Sequence, residues 1–579
     1  MSSIPNTNEG NSTSFFSASG DAATNPPRRS SAAEIEMAAS DPFAPRPGRT
    51  LAWNNVSLTV STPSTERTKK GASKVEENTI KTILHAQRGR IEPTQLTAIM
   101  GGSGAGKSSL LNVLAGKVNA TTGQDVTREV ALDGVPIDPS SRKVKRKIAF
   151  VQQHETLLNT ATPREALKFS AKLRLKSDLS NDAISLLVDR MLAELNLEQV
   201  ANNPTGNLSG GEKRRLSLGI ELAVRPSILF CDEITSGLDS HNATSVMNLL
   251  KKVAECGATV LVTLHQPNSK IFNLLDAMYL MKKGQCIYHG PVAEIPGYFE
   301  ERGFPVPYTY GTADWILEVA QTETMDALVA AGFTDATGKQ LDAIKAADAD
   351  DEEDTCSGDT QGSQERPTLK RRLSIFDQNE SPVSILTQVR LQLQRDFRNI
   401  VRDRRVMTLR FLIVLVGSSV IALTFQGAGT DSLENMQFLS HVGAMFFLIM
   451  TNMLALQLVM LDQIEGRPIY QKEYTTDHFG LASYLISKYI SESIVGFLQV
   501  FVLLLISFWA IDLQGDFWFW LFTLYFFQLI MSGAGVALSQ LTRDARNAKE
   551  LIPILLLPNI LFAGFFVSID ARKFNNHTP

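Results

Sequence analysis

The chain has 579 residues, 44% hydrophobic and 20% charged, with a formal net charge of −4. That length allows several domains, and the charge balance excludes a strongly basic nucleic-acid binder. The hydrophobic fraction excludes a mainly disordered chain.

The average hides two unlike halves. Residues 1–48 are rich in Ser, Thr, Asn, Ala and Pro without hydrophobic period, and predict a disordered tail. The first 40 residues hold no apolar signal-peptide core. Residues 49–320 alternate short apolar runs with helical patterns, the texture of an α/β domain. Residues 321–383 form a linker, with an acidic block at 348–354 followed by Arg371-Arg372-Leu373-Ser374. It reads as a solvated tether or as a basophilic kinase site at Ser374. Cys231, Cys256, Cys286 and Cys356 fit no zinc spacing.

Residues 384–405 space Ile385, Leu386, Val389, Leu393, Phe397, Ile400 and Val401 at helical period among arginines. This predicts an amphipathic connecting helix on the membrane surface, with an ordinary domain-packing helix as the alternative. Within 406–579, five runs lack Asp, Glu, Lys and Arg: 411–429, 439–461, 494–511, 517–541 and 551–569. Each approaches or exceeds the roughly 20 apolar residues that cross a bilayer, so a purely soluble chain is excluded. Loops 462–493 and 542–550 carry Lys and Arg, whereas 430–438 and 512–516 carry none. The positive-inside rule puts the basic loops and the N-terminal half in the cytosol; plasma or internal membrane is left open. Trp509, Trp518 and Trp520 flank the outer loop 512–516, where interface aromatics belong.

Two motifs carry the chemistry. The strand-like Gln95–Met100 runs into Gly101-Gly102-Ser103-Gly104-Ala105-Gly106-Lys107-Ser108, then a helical pattern from Ser109. This is a complete P-loop in strand–loop–helix context. Glycines let backbone N–H groups close on phosphate oxygens, Lys107 reaches the β- and γ-phosphates of ATP, and Ser108 ligates Mg²⁺. The second apolar strand, Ser227–Cys231, ends in Asp232-Glu233. Asp232 is placed to hold Mg²⁺ through water, and Glu233 to polarise the attacking water.

Leu208-Ser209-Gly210-Gly211-Glu212, upstream of Asp232, resembles the ABC-transporter signature, whose common form ends in Gln. Gln153 resembles the Q-loop glutamine, a further Mg²⁺ ligand, with Gln152 the alternative register. Asp239, in Ser236-Gly237-Leu238-Asp239, resembles the D-loop, and His265 the switch histidine. The ATPase-first order, Gln266-Pro267 after His265, and the signature tail Lys213-Arg214-Arg215-Leu216-Ser217 resemble the White-type, or G, subfamily.

The resemblance implies an α/β P-loop ATPase followed by an all-α transmembrane domain. It implies a half-transporter that dimerises with itself or another half-transporter, so that Ser209 and Gly211 cap the partner's ATP. The expected activity is ATP-driven export of a hydrophobic or amphipathic molecule: lipid, sterol or xenobiotic. Lys472-Glu473 stands where members often carry Arg-Glu, which makes Glu473 a coupling candidate, with a solvated loop acid as the alternative. Subfamily members have six spans and five are visible, so the chain reads as truncated before the sixth. The alternative function is a non-transporting ATP-binding partner or dominant-negative regulator. The adenine-stacking aromatic is open: Trp53 is available before the P-loop and equally suits a strand core.

Overall fold

In a computed structural model, residues 40–63, 78–118, 123–145, 147–175, 179–333, 383–427 and 435–542 are described, together with 37, 38, 547 and 550. Ser374, the fifth predicted span and most of the linker lie outside the described residues, as do the Arg and Lys of 542–550.

The strands are β1 (Leu51–Pro63), β2 (Asn78–Ile91), β3 (Leu96–Gly101), β4 (Gln124–Leu132), β5 (Val135–Ile137), β6 (Ile148–Val151), β7 (Ile228–Cys231), β8 (Thr259–Thr263), β9 (Ala277–Lys282) and β10 (Gln285–Pro291). They form two sheets, an antiparallel one ordered β2-β1-β4-β5 and a larger one ordered β10-β9-β3-β8-β7-β6. The larger sheet is parallel except for its edge strand β10. Its parallel strands are buried on both faces, which is why they read as unbroken apolar runs.

The period of two divides those runs between two cores. Ala98, Met100, Ala149, Val151, Leu229 and Cys231 face a helical layer. Ile99, Ile148, Phe150, Ile228 and Phe230 face the smaller sheet, with Leu51 and Trp53 across from them. The C-terminal ends of β3, β7 and β8 release the P-loop, Asp232-Glu233 and His265 on one edge, where open α/β sheets place their ligands.

Five helices of this domain matter below: α1 (Lys107–Leu114), α2 (Pro163–Arg174), α3 (Asn181–Glu194), α4 (Gly210–Leu222) and α5 (Ser240–Glu255). Helix α2 starts where Thr162 caps it, Pro163 takes the first position and Glu165 closes a capping box.

The domain exceeds 49–320 at both ends. Phe43 is 5% exposed in the helical core, Asp41 pairs with Arg190 at 3.1 Å, and the Arg46 amide donates to the Cys256 carbonyl at 3.0 Å. The disorder expected through residue 48 therefore does not hold for 41–48; one aromatic anchor and backbone bonds dock a stretch that has no period. At the other end, Leu328 and Phe333 are fully buried in the same core.

Helix α6 (Ile385–Arg402) precedes α7 (Arg404–Thr424), α8 (Asn435–Thr475), α9 (Leu481–Ile511) and α10 (Phe517–Leu541). Among the described residues α7, α9 and α10 are long and apolar enough to cross a membrane. Helix α7 packs on α9, and α8 and α9 on α10. Val414, Leu448, Leu503 and Leu524 form part of their shared core.

The expected loop 462–493 is not a loop. Helix α8 continues through Pro468 to Thr475, α9 begins at Leu481, and only 476–480 connect them. The charges that mark a loop in sequence are instead paired inside the bundle. Arg410 meets Glu492 at 2.9 Å with side chains 5% and 9% exposed, and Lys488 meets Asp462 at 2.9 Å.

Candidate functional site

Gly101 and Gly106 take φ of 147° and 99°. A Cβ at Gly101 would stand 2.3 Å from the Met281 carbonyl oxygen, so only glycine lets the loop pass β9. Ser103 and Gly104 are exposed at the loop tip, and Ala105 is buried beneath it. Lys107 and Ser108 open α1, with Ser109 in its first turn. The Lys107 ammonium donates to the carbonyls of Gly101 and Gly102 at 2.9 and 3.0 Å. Burial lowers its pKa from the usual lysine value, opposed by the charges of Glu233 and Asp232.

Three strand ends converge on one carboxylate. The Ser108 hydroxyl donates to Asp232 Oδ1 at 2.8 Å, and the Thr263 hydroxyl donates to the same oxygen at 2.8 Å. Thr263 Oγ1 also accepts the Glu233 amide at 2.7 Å. Glu233 is held at φ 45°, a backbone that costs a non-glycine residue roughly 1–3 kcal/mol. Its Oε2 accepts from Gln153 Nε2 at 2.8 Å. In the other register, the Gln152 backbone carbonyl accepts from Arg214 at 3.2 Å. His265 is exposed just beyond β8 on the same edge.

The signature lies elsewhere. Leu208 is buried, and Ser209 caps α4 in a capping box with Glu212, its hydroxyl 2.9 Å from Glu212 Oε2. Ser209 and Gly210 are exposed, and the Ser209 amide and hydroxyl bond Glu212 within this cap. A Cβ at Gly211 would come within 2.6 Å of the Asn242 carboxamide. Asn242 in turn bonds Asp239, the cap of α5, through its amide N–H at 3.2 Å and its side chain at 2.5 Å. Those bonds hold the Asp239 pKa below the usual carboxylate value. Signature and D-loop are thus one packed unit through Asn242, a residue without a motif of its own. Thr263 was equally silent, a single polar end to the strand Thr-Val-Leu-Val-Thr.

Trp53 is 3% exposed, tilted on Tyr279 at 5.6 Å between ring centres, and fills the space that Gly89 leaves. It is strand core, with no face free for adenine.

Glu473 is not a solvated acid. Its side chain is 15% exposed near the end of α8 and meets Arg395 of α6 at 2.5 Å. Around it the membrane half touches the ATPase. Arg402 pairs with Glu165 at 2.6 Å, and buried His478 contacts the Ser170 hydroxyl at 3.2 Å. Ser170 donates to the Ile220 carbonyl of α4 at 3.0 Å. A short polar path therefore runs from the α8–α9 connector to the signature helix.

The profile of the ABC transporter family matches residues 84–236, and profiles of ABC-2 type transporters match 387–574 and 265–331. The ABC transporter ATP-binding protein/permease wht-1 of Caenorhabditis elegans is 30% identical over 548 residues, covering 90% of this chain and 79% of that one. The broad substrate specificity ATP-binding cassette transporter ABCG2 of Sus scrofa is 27% identical over 84% of this chain and 76% of its own. ABC transporter G family member 11 of Arabidopsis thaliana is 30% identical over 83% and 68%. With a P-loop ATPase joined to apolar membrane helices and these relatives along most of its length, the chain belongs to the ABC transporter family, as a G-subfamily half-transporter that couples ATP hydrolysis to transport across a membrane.

Proposed function

We propose that the chain is one half of a dimeric exporter of hydrophobic or amphipathic molecules, with its ATPase domain on the cytosolic side of a multi-pass membrane domain. The observation that carries the dimer is the exposure of Ser209 and Gly210 at the N-terminal end of α4. That end bears the partial positive charge of a helix N-terminus, suited to the phosphate of another chain's nucleotide. Both halves of a shared site are intact here, which permits a homodimer; a second half-transporter would serve equally.

In this reading backbone N–H groups of Gly102–Ser109 wrap the phosphates, and Lys107 leaves its two carbonyls for the β- and γ-phosphates. Ser108 and Asp232, already converging at 2.8 Å, fit Mg²⁺ with Gln153, Asp232 acting through water. The ion, when bound, neutralises charge that develops on the phosphates. Glu233 accepts a proton from the attacking water and is oriented by Gln153. His265 lies on the γ-phosphate side, and Asp239 faces the partner. Leu208 and Glu212 frame Ser209, Gly210 and Gly211 against the partner's γ-phosphate.

The membrane half suits an apolar cargo. Asn452, Gln499 and Gln528 are buried between helices, where uncharged polar groups serve packing. Ile385, Leu386 and Val401 remain exposed on α6, as a helix lying on a bilayer needs.

The shared site is tested by co-expressing a Lys107→Ala chain with a Ser209→Arg chain. Neither homodimer should trap nucleotide with vanadate. In the mixed dimer one site collects both defects and the other is intact, so trapping should return. No trapping in a verified mixed dimer would overturn the shared-site reading.

A further inference from the structure

A cleft of about 440 Å³ lies between the ATPase domain and α6, in the size range that encloses a drug-sized ligand. Leu157 and Phe169 wall it from the ATPase side, Leu391 from α6 and Ile469 from α8. Seven Lys and Arg side chains line it, against two Glu. Those two carboxylates are already engaged, Glu473 by Arg395 and Glu165 by Arg402.

Arg164 turns to Asp189. Lys168, Lys172 and Arg398 are under-neutralised. Lys168 rests on the uncharged Ser185 hydroxyl at 3.0 Å. Arg398 reaches Glu165 only at 3.4 Å, on a carboxylate that Arg402 holds. Lys172 has no ion pair among the described residues. Burial lowers its pKa from the usual lysine value, and the charges of Lys168, Arg390 and Arg398 lower it further. The cluster is one of mutually repelling cations beside an apolar wall.

An inorganic anion would satisfy the cations and leave the wall wet. A neutral lipid would cover the wall and leave the cations uncompensated. We propose that the cleft binds a single-chain anionic amphiphile of the lysophosphatidate kind, its acyl body against Leu157, Phe169 and Leu391 and its phosphate among Lys168, Lys172 and Arg398. The occupant is a regulator rather than cargo, because the cleft lies between α2 and α6. Helix α2 is tied to the signature helix through Ser170 and Ile220, and α6 leads directly into α7. A body wedged there changes how the two can move together.

The test uses the full chain in phosphatidylcholine nanodiscs, titrated with oleoyl-lysophosphatidate or neutral oleoylglycerol and read by native mass spectrometry. Lysophosphatidate should bind at least about tenfold tighter than the neutral ester, and Lys172→Glu should weaken it by about tenfold or more, the scale of one lost charge-assisted contact. Leu391→Trp, which fills the cleft, should abolish binding, and Leu391→Met should retain it. Equal binding of the two lipids, or full affinity in Lys172→Glu, overturns the proposal. A third arm adds phosphatidate to the disc. Lysophosphatidate binding that survives Leu391→Trp in either disc places the anion on the membrane surface and also overturns it. If Leu391→Trp does not fold, Lys172→Glu decides alone, since Lys172 is only partly buried.

Discussion

Arg395 and Glu473, 78 residues apart, meet at 2.5 Å on the seam between the ATPase domain and the membrane helices. Arg395 also lies over the Phe169 ring at 4.2 Å, so one guanidinium touches α2 and α8 at once. Glu473 Oε2 is buried without a hydrogen bond, which leaves the ion pair as the acid's main compensation. The pair therefore joins the ATPase domain, α6 and α8 at one point.

Removing one charge should uncouple the halves. Glu473→Ala is expected to keep ATP hydrolysis within a few-fold of wild type and to lower transport per ATP by about tenfold or more, the scale of a buried charged hydrogen bond. The swap Arg395→Glu with Glu473→Arg should recover part of the coupling. The measurement is substrate flux and phosphate release from the same proteoliposomes; equal losses in both would make the pair structural only.

Glu233→Gln keeps the shape of the side chain and removes its basicity. ATP should still bind, while turnover falls by roughly 10²–10⁴, the range for a lost general base. Lys107→Ala should instead weaken nucleotide binding itself. Single-turnover hydrolysis and nucleotide affinity on the two variants separate these outcomes; near-normal turnover in Glu233→Gln removes it from catalysis.

Arg174 and Glu221 form a buried ion pair at 3.0 Å, with side chains 4% and 0% exposed. Arg174→Met strands the Glu221 carboxylate in the last turn of the signature helix. It should destabilise the ATPase domain by about 3–5 kcal/mol, as removing one partner of a buried pair does. The double change Arg174→Met with Glu221→Leu should recover most of that in thermal unfolding. A single mutant as stable as the double would show that the pair contributes nothing.

His289 sets a pH dependence. Burial pushes its pKa down from 6.5 to about 4, and its ring tilts on Tyr279 at 5.3 Å between centres. Below pH 6.5 the unfolded chain takes up a proton that the folded one refuses. Stability from this group is therefore full above about pH 6.5, falls through pH 5, and levels off near pH 4. The shift corresponds to about 3 kcal/mol at that lower limit. His289→Gln should flatten the acid side of the stability curve between pH 6.5 and 4; an unchanged curve would exclude His289 as its source.

The P-loop, Asp232-Glu233 and the signature were legible in the sequence because each is contiguous. A run such as Gly101–Ser108 encodes its own backbone, and the apolar strand before it announces a buried parallel sheet. The apolar membrane helices were legible for the same local reason, an uncharged length. What only the tertiary structure decided involves residues far apart in the chain. Thr263 joins Asp232 to Glu233, and Asn242 joins signature to D-loop, through single side chains with no pattern around them. Trp53 became core because Gly89, on a neighbouring strand, makes room for its ring. The stretch 462–493 reads as a loop because its charges break the hydropathy, yet Asp462, Lys488 and Glu492 are paired within or between helices, so the helices persist. Charge in a sequence reports the cost of burial, and only the fold supplies the partner that offsets it.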